Sequence, residues 1–145
     1  MSEMWKTLQA VLAMLGGFLG YFVGGFDSLI KVLLTMIIID YITGVMCAIA
    51  EKKLSSEIGF KGICKKILII ILVGVANALD VYIIGVGSML RTAVIFFYTS
   101  NEGVSIVENA AKLGLPIPQK IKDVLKQLHE KSEGTDEDNE DDDDE

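Results

Sequence analysis

The sequence predicts an all-α integral membrane protein: three to four transmembrane helices, a C-terminal amphipathic helix and a disordered acidic tail. Three observations carry this. First, residues 7–26 hold no charge, residues 32–50 hold only Asp40, and residues 67–90 hold only Asp80. About twenty apolar residues in a helix cross a hydrocarbon core roughly 30 Å thick. Second, these stretches follow one another so closely in 145 residues that no large soluble core is available. Third, the formal charge of -7 sits at one end. Nine of the 20 acids fall in residues 134–145, leaving 11 against 13 Lys and Arg. An acidic run with nothing to bury is expected to be solvated and disordered.

The first span is expected at residues 7–26. Its charged flank is weak (Glu3, Lys6) and no small-x-small cleavage site follows, so it reads as an uncleaved helix rather than a removed signal. Gly16, Gly20 and Gly24 recur every four residues, with Gly17 and Gly25 widening the strip. Such spacing lets two membrane helices approach closely, within one chain or between subunits. A short link at 27–31 predicts an antiparallel hairpin with a second span at 29–50. Residues 51–66 follow, with Lys52, Lys53, Lys61, Lys65 and Lys66 against Glu51 and Glu57. This most basic loop is expected in the cytoplasm, with the N-terminus, and Asp27 outside. The third span is expected at 67–90, ending at Arg91.

Residues 92–107 form a short, polar fourth segment. Crossing is favoured, because Lys112, Lys120, Lys122 and Lys126 beyond it then lie in the cytoplasm; a re-entrant or interfacial course is the alternative. Residues 114–118 break the pattern. Beyond them Ile117, Ile121, Val124, Leu125 and Leu128 share one helical face, with Pro118 acceptable in the first turn. Lysines opposite that face suit an anionic membrane surface; packing on the protein's own cytoplasmic loop suits it equally. The expected division is a transmembrane domain at 1–110, a cytoplasmic amphipathic helix at 111–131 and the acidic tail at 132–145.

An ionisable group inside a bilayer costs several kcal/mol unless it finds a partner or water. Asp40, Asn77, Asp80 and Glu102 are therefore the candidate intramembrane polar residues. They are open to three readings: hydrogen-bonded structural glue, the lining of a water-filled path between subunits, or a proton or ion relay. A relay ordinarily comes with broken helices and internal repeats, and no repeat is evident. Nothing in the sequence predicts an enzyme, a cofactor or a metal site. Cys47, Cys64 and the single His129, expected on an exposed helix face, do not make a ligand set. No catalytic elbow, phosphate loop or His-centred dyad occurs, and the basic residues call for no nucleic acid.

Three blocks then align with one family: Ile39-Asp40-Tyr41-Ile42-Thr43-Gly44; Leu54-Ser55-Ser56-Glu57-Ile58-Gly59-Phe60-Lys61-Gly62 with Lys65-Lys66; and Asn101-Glu102-Gly103-Val104-Ser105-Ile106-Val107-Glu108-Asn109-Ala110-Ala111, running on to Pro116. In order and spacing the chain resembles the phage-lysis and toxin-secretion holin family of Gram-positive phages and clostridia, over about residues 20–130. The matched positions are Asp40, Thr43, Gly44, Gly59, Lys61, Gly62, Asn101, Glu102, Gly103, Glu108 and Asn109. The resemblance implies a non-enzymatic protein of the host cytoplasmic membrane. Such a protein forms large homo-oligomers, collapses the membrane potential at a set time, and releases endolysin, or a toxin, as cargo. It also implies a possible antiholin partner. An antiholin-like inhibitor, a membrane scaffold or a small ion or solute transporter would share the same membrane body.

Overall fold

The computed structural model describes residues 2–133, and every described element is helical. The acidic run at 134–145 lies outside the described residues, as does the side chain of His129. In order, α1 is Ser2–Phe22, α2 is Ser28–Ala50, α3 is Ser56–Leu79 continued by a π-helical turn Asp80–Ile84, α4 is Met89–Lys112 and α5 is Gln119–Glu133. Two stretches, Ser28–Ala50 and Ser56–Ile84, are long and apolar enough to cross a membrane.

Local chemistry explains the boundaries. Gly25 N–H donates to Gly20 C=O at 2.7 Å, and Gly24 and Gly25 take φ of +84° and +99°, so α1 ends in a left-handed turn that glycine tolerates. Asp27 caps α2 by accepting from Ile30 N–H at 3.0 Å. Ser55 caps α3 by accepting from Ile58 N–H at 3.2 Å, with Glu57 in the first turn. At the far end of α3, Gly85 N–H reaches Asp80 C=O at 2.8 Å to close the π-turn. The chain then passes Gly85 and Gly87, both at φ +77°.

Four expectations are corrected here. Residues 51–66 are not a loop: the Ser55 cap starts a helix at Ser56, which carries Lys61, Lys65 and Lys66. The third apolar stretch does not run unbroken to residue 90, because it stops at Ile84, and Arg91 belongs to the first turn of α4. Gly24 is not on the face of α1 with Gly16 and Gly20, because it lies in the turn beyond Phe22. The fourth segment is one continuous helix reaching Lys112, so position 110 falls in its last turn and the amphipathic helix begins only at Gln119, with Pro118 just before it.

A narrow core joins α2, α3 and α4. Ile30, Leu33 and Ile37 on α2, Ile69 and Val73 on α3, and Ile95 on α4 are buried together with Val23 from the α1–α2 turn. α1 meets this body only at its C-terminal end. The Phe22 ring occupies the space a side chain at Gly74 would fill, Asn77 Nδ2–H donates to Phe22 C=O at 3.2 Å, and the hydroxyls of Tyr21 and Tyr82 pair at 2.8 Å. Residues 2–15 of α1 are exposed throughout. α5 folds back along α4, seating Leu125 against Gly103, where a Cβ would stand 2.5 Å from the leucine methyl.

Candidate functional site

The core faces do not stop at apolar residues. Along α2 the buried register runs Ile30, Leu33, Ile37, Asp40; along α3 it runs Ile69, Val73, Ala76, Asp80; along α4 it runs Arg91, Ile95, Thr99, Glu102, Asn109. Each is a spacing of three or four, or their sum, and so one helical stripe. Lys66 is one turn before Ile69 on the α3 stripe. The helices that build the core therefore also bring polar side chains to one place.

Lys66 Nζ bridges the carboxylates of Asp40 and Glu102. The side chains are 17%, 11% and 9% exposed respectively, which makes this a buried ion cluster tying α2, α3 and α4. Asn109 Nδ2–H donates to Asp40 Oδ1 at 3.3 Å and to Thr43 Oγ1 at 3.0 Å. Cys47 Sγ–H donates to the backbone C=O of Asn109 at 3.3 Å. Gly44 faces the Asn109 amide, with 3.8 Å left for a Cβ. From Ser28 to Asp40 the helix rises about 18 Å, so the cluster lies past the middle of an apolar helix of bilayer length.

A second polar centre sits at the other end of the bundle. Asp80 is 1% exposed and accepts from Leu90 N–H at 3.1 Å and Arg91 N–H at 2.8 Å, capping α4 from the end of α3. Arg91, 3% exposed, turns back to the α1–α2 turn. It donates to Val23 C=O at 2.5 Å, to Gly25 C=O at 3.1 Å and to both oxygens of Asp27 at 2.7 and 3.2 Å. The guanidinium holds the Asp27 carboxyl below its ordinary pKa, helped by the Ile30 N–H.

Of the positions singled out in the sequence, Asp40, Thr43, Gly44, Glu102 and Asn109 come together at the first centre, and Asp80 forms the second. Asn77 bonds to α1 instead. Gly59 faces the Tyr41 hydroxyl and Gly62 its ring, at 3.5 and 3.4 Å from a Cβ. Asn101 is half-buried beside the cluster, Gly103 seats α5, and Lys61 and Glu108 are exposed with no ion pair among the described residues. Gly16 and Gly17 have no neighbour within 4 Å of a Cβ, whereas Gly20 is covered by Phe26. Sequence reasoning missed Lys66 and Arg91 as site residues. Both were legible: Lys66 precedes Ile69 and Val73 by helical spacing, and Arg91 precedes Ile95 in the same way.

Apolar helices of bilayer length, joined at buried ionic contacts, define a helical membrane protein. A model of the bacteriophage holin family matches residues 17–130, and the chain belongs to that family. It is 38% identical over 125 residues to a "Probable holin" of Bacillus phage phi105, covering 84% of this chain and 86% of that protein. It is 44% identical over 110 residues to protein Lmo0128 of Listeria monocytogenes, covering 76% and 78%. A 14.9 kDa protein from the nagH 3' region of Clostridium perfringens is 44% identical over 117 residues, covering 81% and 89%. No solved structure matches. Family membership places the chain among non-enzymatic membrane proteins.

Proposed function

We propose that this chain is a holin of a bacterial host's cytoplasmic membrane. It accumulates there, assembles with copies of itself, and opens lesions that collapse the membrane potential and release endolysin, or a toxin. The observation that supports this beyond family membership is the buried Asp40–Lys66–Glu102 cluster. A buried ion cluster gains little over its desolvation cost. An arrangement that hides it between helices and one that wets it at a lesion wall are therefore close in free energy. Four thin helices cannot enclose a hole wide enough for a folded enzyme, so the wet state belongs to an assembly. Membrane potential can bias the exchange, because moving one charge through 100 mV is worth roughly 2.3 kcal/mol.

In this reading α1, α2, α3 with its π-turn, and α4 are spans of the domain 1–110. The N-terminus and the lysines around the α2–α3 turn face the cytoplasm, and so does the C-terminus. Helix α5 lies against α4 at the inner surface. An antiholin partner, in this reading, is a non-lytic homologue that joins the assembly and dilutes it.

The test is expression of the chain alone in a bacterium, following membrane potential and optical density with and without a cytoplasmic endolysin. Delayed, abrupt depolarisation, with lysis only when endolysin is present, is the expected result. Steady potential with confirmed membrane insertion would instead assign the inhibitor or scaffold role. Saturable, solute-specific flux would assign a transporter.

A further inference from the structure

We propose that the crevice between α2 and α3 binds one anionic phospholipid, its phosphodiester seated on Lys65 and an acyl chain laid along Leu68 and Leu72. The crevice has a volume of about 560 Å³. Small residues on its walls, Gly44 and Ala48 on α2 and Gly59 and Gly62 on α3, leave space between the two helices. Leu68 and Leu72 line it and are themselves exposed, at 56% and 43%. In a bilayer such a surface favours an acyl chain over water.

Charge and depth select the headgroup. Asp40 and Glu102, which line the crevice, are held by Lys66. Lys65, which also lines it, is exposed and has no ion pair among the described residues. Lys65 stands 19 residues from Ile84, about 28 Å along the helix axis. That is close to one hydrocarbon thickness, which puts its ammonium at headgroup level when Ile84 is at the opposite face. Leu68 and Leu72 then lie about 5 and 10 Å deeper, where an acyl chain begins. A lysine at a bilayer surface favours anionic over zwitterionic lipid.

The inference rests on α2 and α3 spanning the bilayer, and not on lesion formation, so depolarisation of expressing cells reads the holin function separately. The full chain is reconstituted into nanodiscs of equal phosphatidylglycerol and phosphatidylcholine, released into mild detergent, and its retained lipids are counted by native mass spectrometry. One retained phosphatidylglycerol per chain is expected. Lys65→Gln should cut its preference over phosphatidylcholine about fivefold, the scale of one lysine at an anionic surface. Lys112→Gln, an exposed lysine away from the crevice, should leave the preference unchanged. Ala48→Phe, which fills the crevice, should remove the retained lipid while circular dichroism shows the helices intact. Equal retention of both lipids by the wild type, an equal loss in Lys112→Gln, or an Ala48→Phe variant that changes only the oligomeric state would each overturn the proposal. The last outcome would give the crevice to a second copy of the chain.

Discussion

Lys66 has two anionic neighbours among the described residues, Asp40 and Glu102. Removing it leaves Asp40 and Glu102 facing each other in a buried setting, so Lys66→Met should destabilise the bundle by about 3 kcal/mol. Thermal unfolding in detergent checks this, and Glu102→Gln in the same chain should recover part of the loss. A smaller effect of opposite sign belongs to Thr99. Its buried hydroxyl has no hydrogen-bond partner among the described residues, so Thr99→Val keeps the shape and removes an unmet polar group. The unfolding midpoint should rise, by about 1 kcal/mol in stability. At this scale the sequence was readable for the acids, because an aspartate among twenty apolar residues stands out. It was less readable for their partner. Lys66 ends a cluster of five lysines that topology alone explains, and the Ser55 cap, which places Lys61, Lys65 and Lys66 on one helix, has to be recognised before the spacing to Ile69 and Val73 tells which lysine points inward.

Between elements, Arg91 fixes the α1–α2 turn to α4, and Asp27 is the acid it grips. Arg91 lowers the pKa of Asp27 in the folded chain. The stabilisation is therefore complete above the unfolded-state pKa and is lost as pH falls through the folded one. The Asp27 side chain is 47% exposed, so solvent screening keeps the contribution below about 1 kcal/mol. Asp27→Asn should lower the unfolding midpoint at neutral pH and flatten its decline in acid, as thermal scans across that range would show. Phe22 in the notch at Gly74 is the other tie. Gly74→Val should expel the ring and cost about 1–3 kcal/mol, with faster hydrogen exchange confined to the end of α1. The α1–α2 hairpin and the α4–α5 break were legible from Asp27, Gly114 and Pro116. The end of α3 was not, because Val81–Ile84 continues the apolar run and hydropathy alone cannot distinguish a π-turn from more helix; the signals were Gly85 and Gly87.

For the molecule as a whole, the core is one residue wide on each of three helices, and most large apolar side chains point outward. Ile38, Ile42, Met46 and Ile49 on α2 are exposed at 59%, 52%, 50% and 58%. A bilayer or a second copy has to cover such a surface, which is why hydropathy announced the class of protein but not the contacts within it. The lysine-bearing helix α5 rests on α4 through Leu125 at Gly103. Gly103→Leu should displace it, and protease cleavage between residues 113 and 118 should quicken while α2 and α3 stay protected. Mechanically, α1 is a cantilever. It is clamped at Phe22 and untouched along residues 2–15, so its free arm from Phe22 to Met4 is about 27 Å long. A pivot of about 10° at the clamp sweeps its tip sideways by about 5 Å over that length. In the proposed holin assembly, the space each copy occupies in the membrane plane is then set by one joint, and crowding of neighbours would act on that joint with the full leverage of the arm.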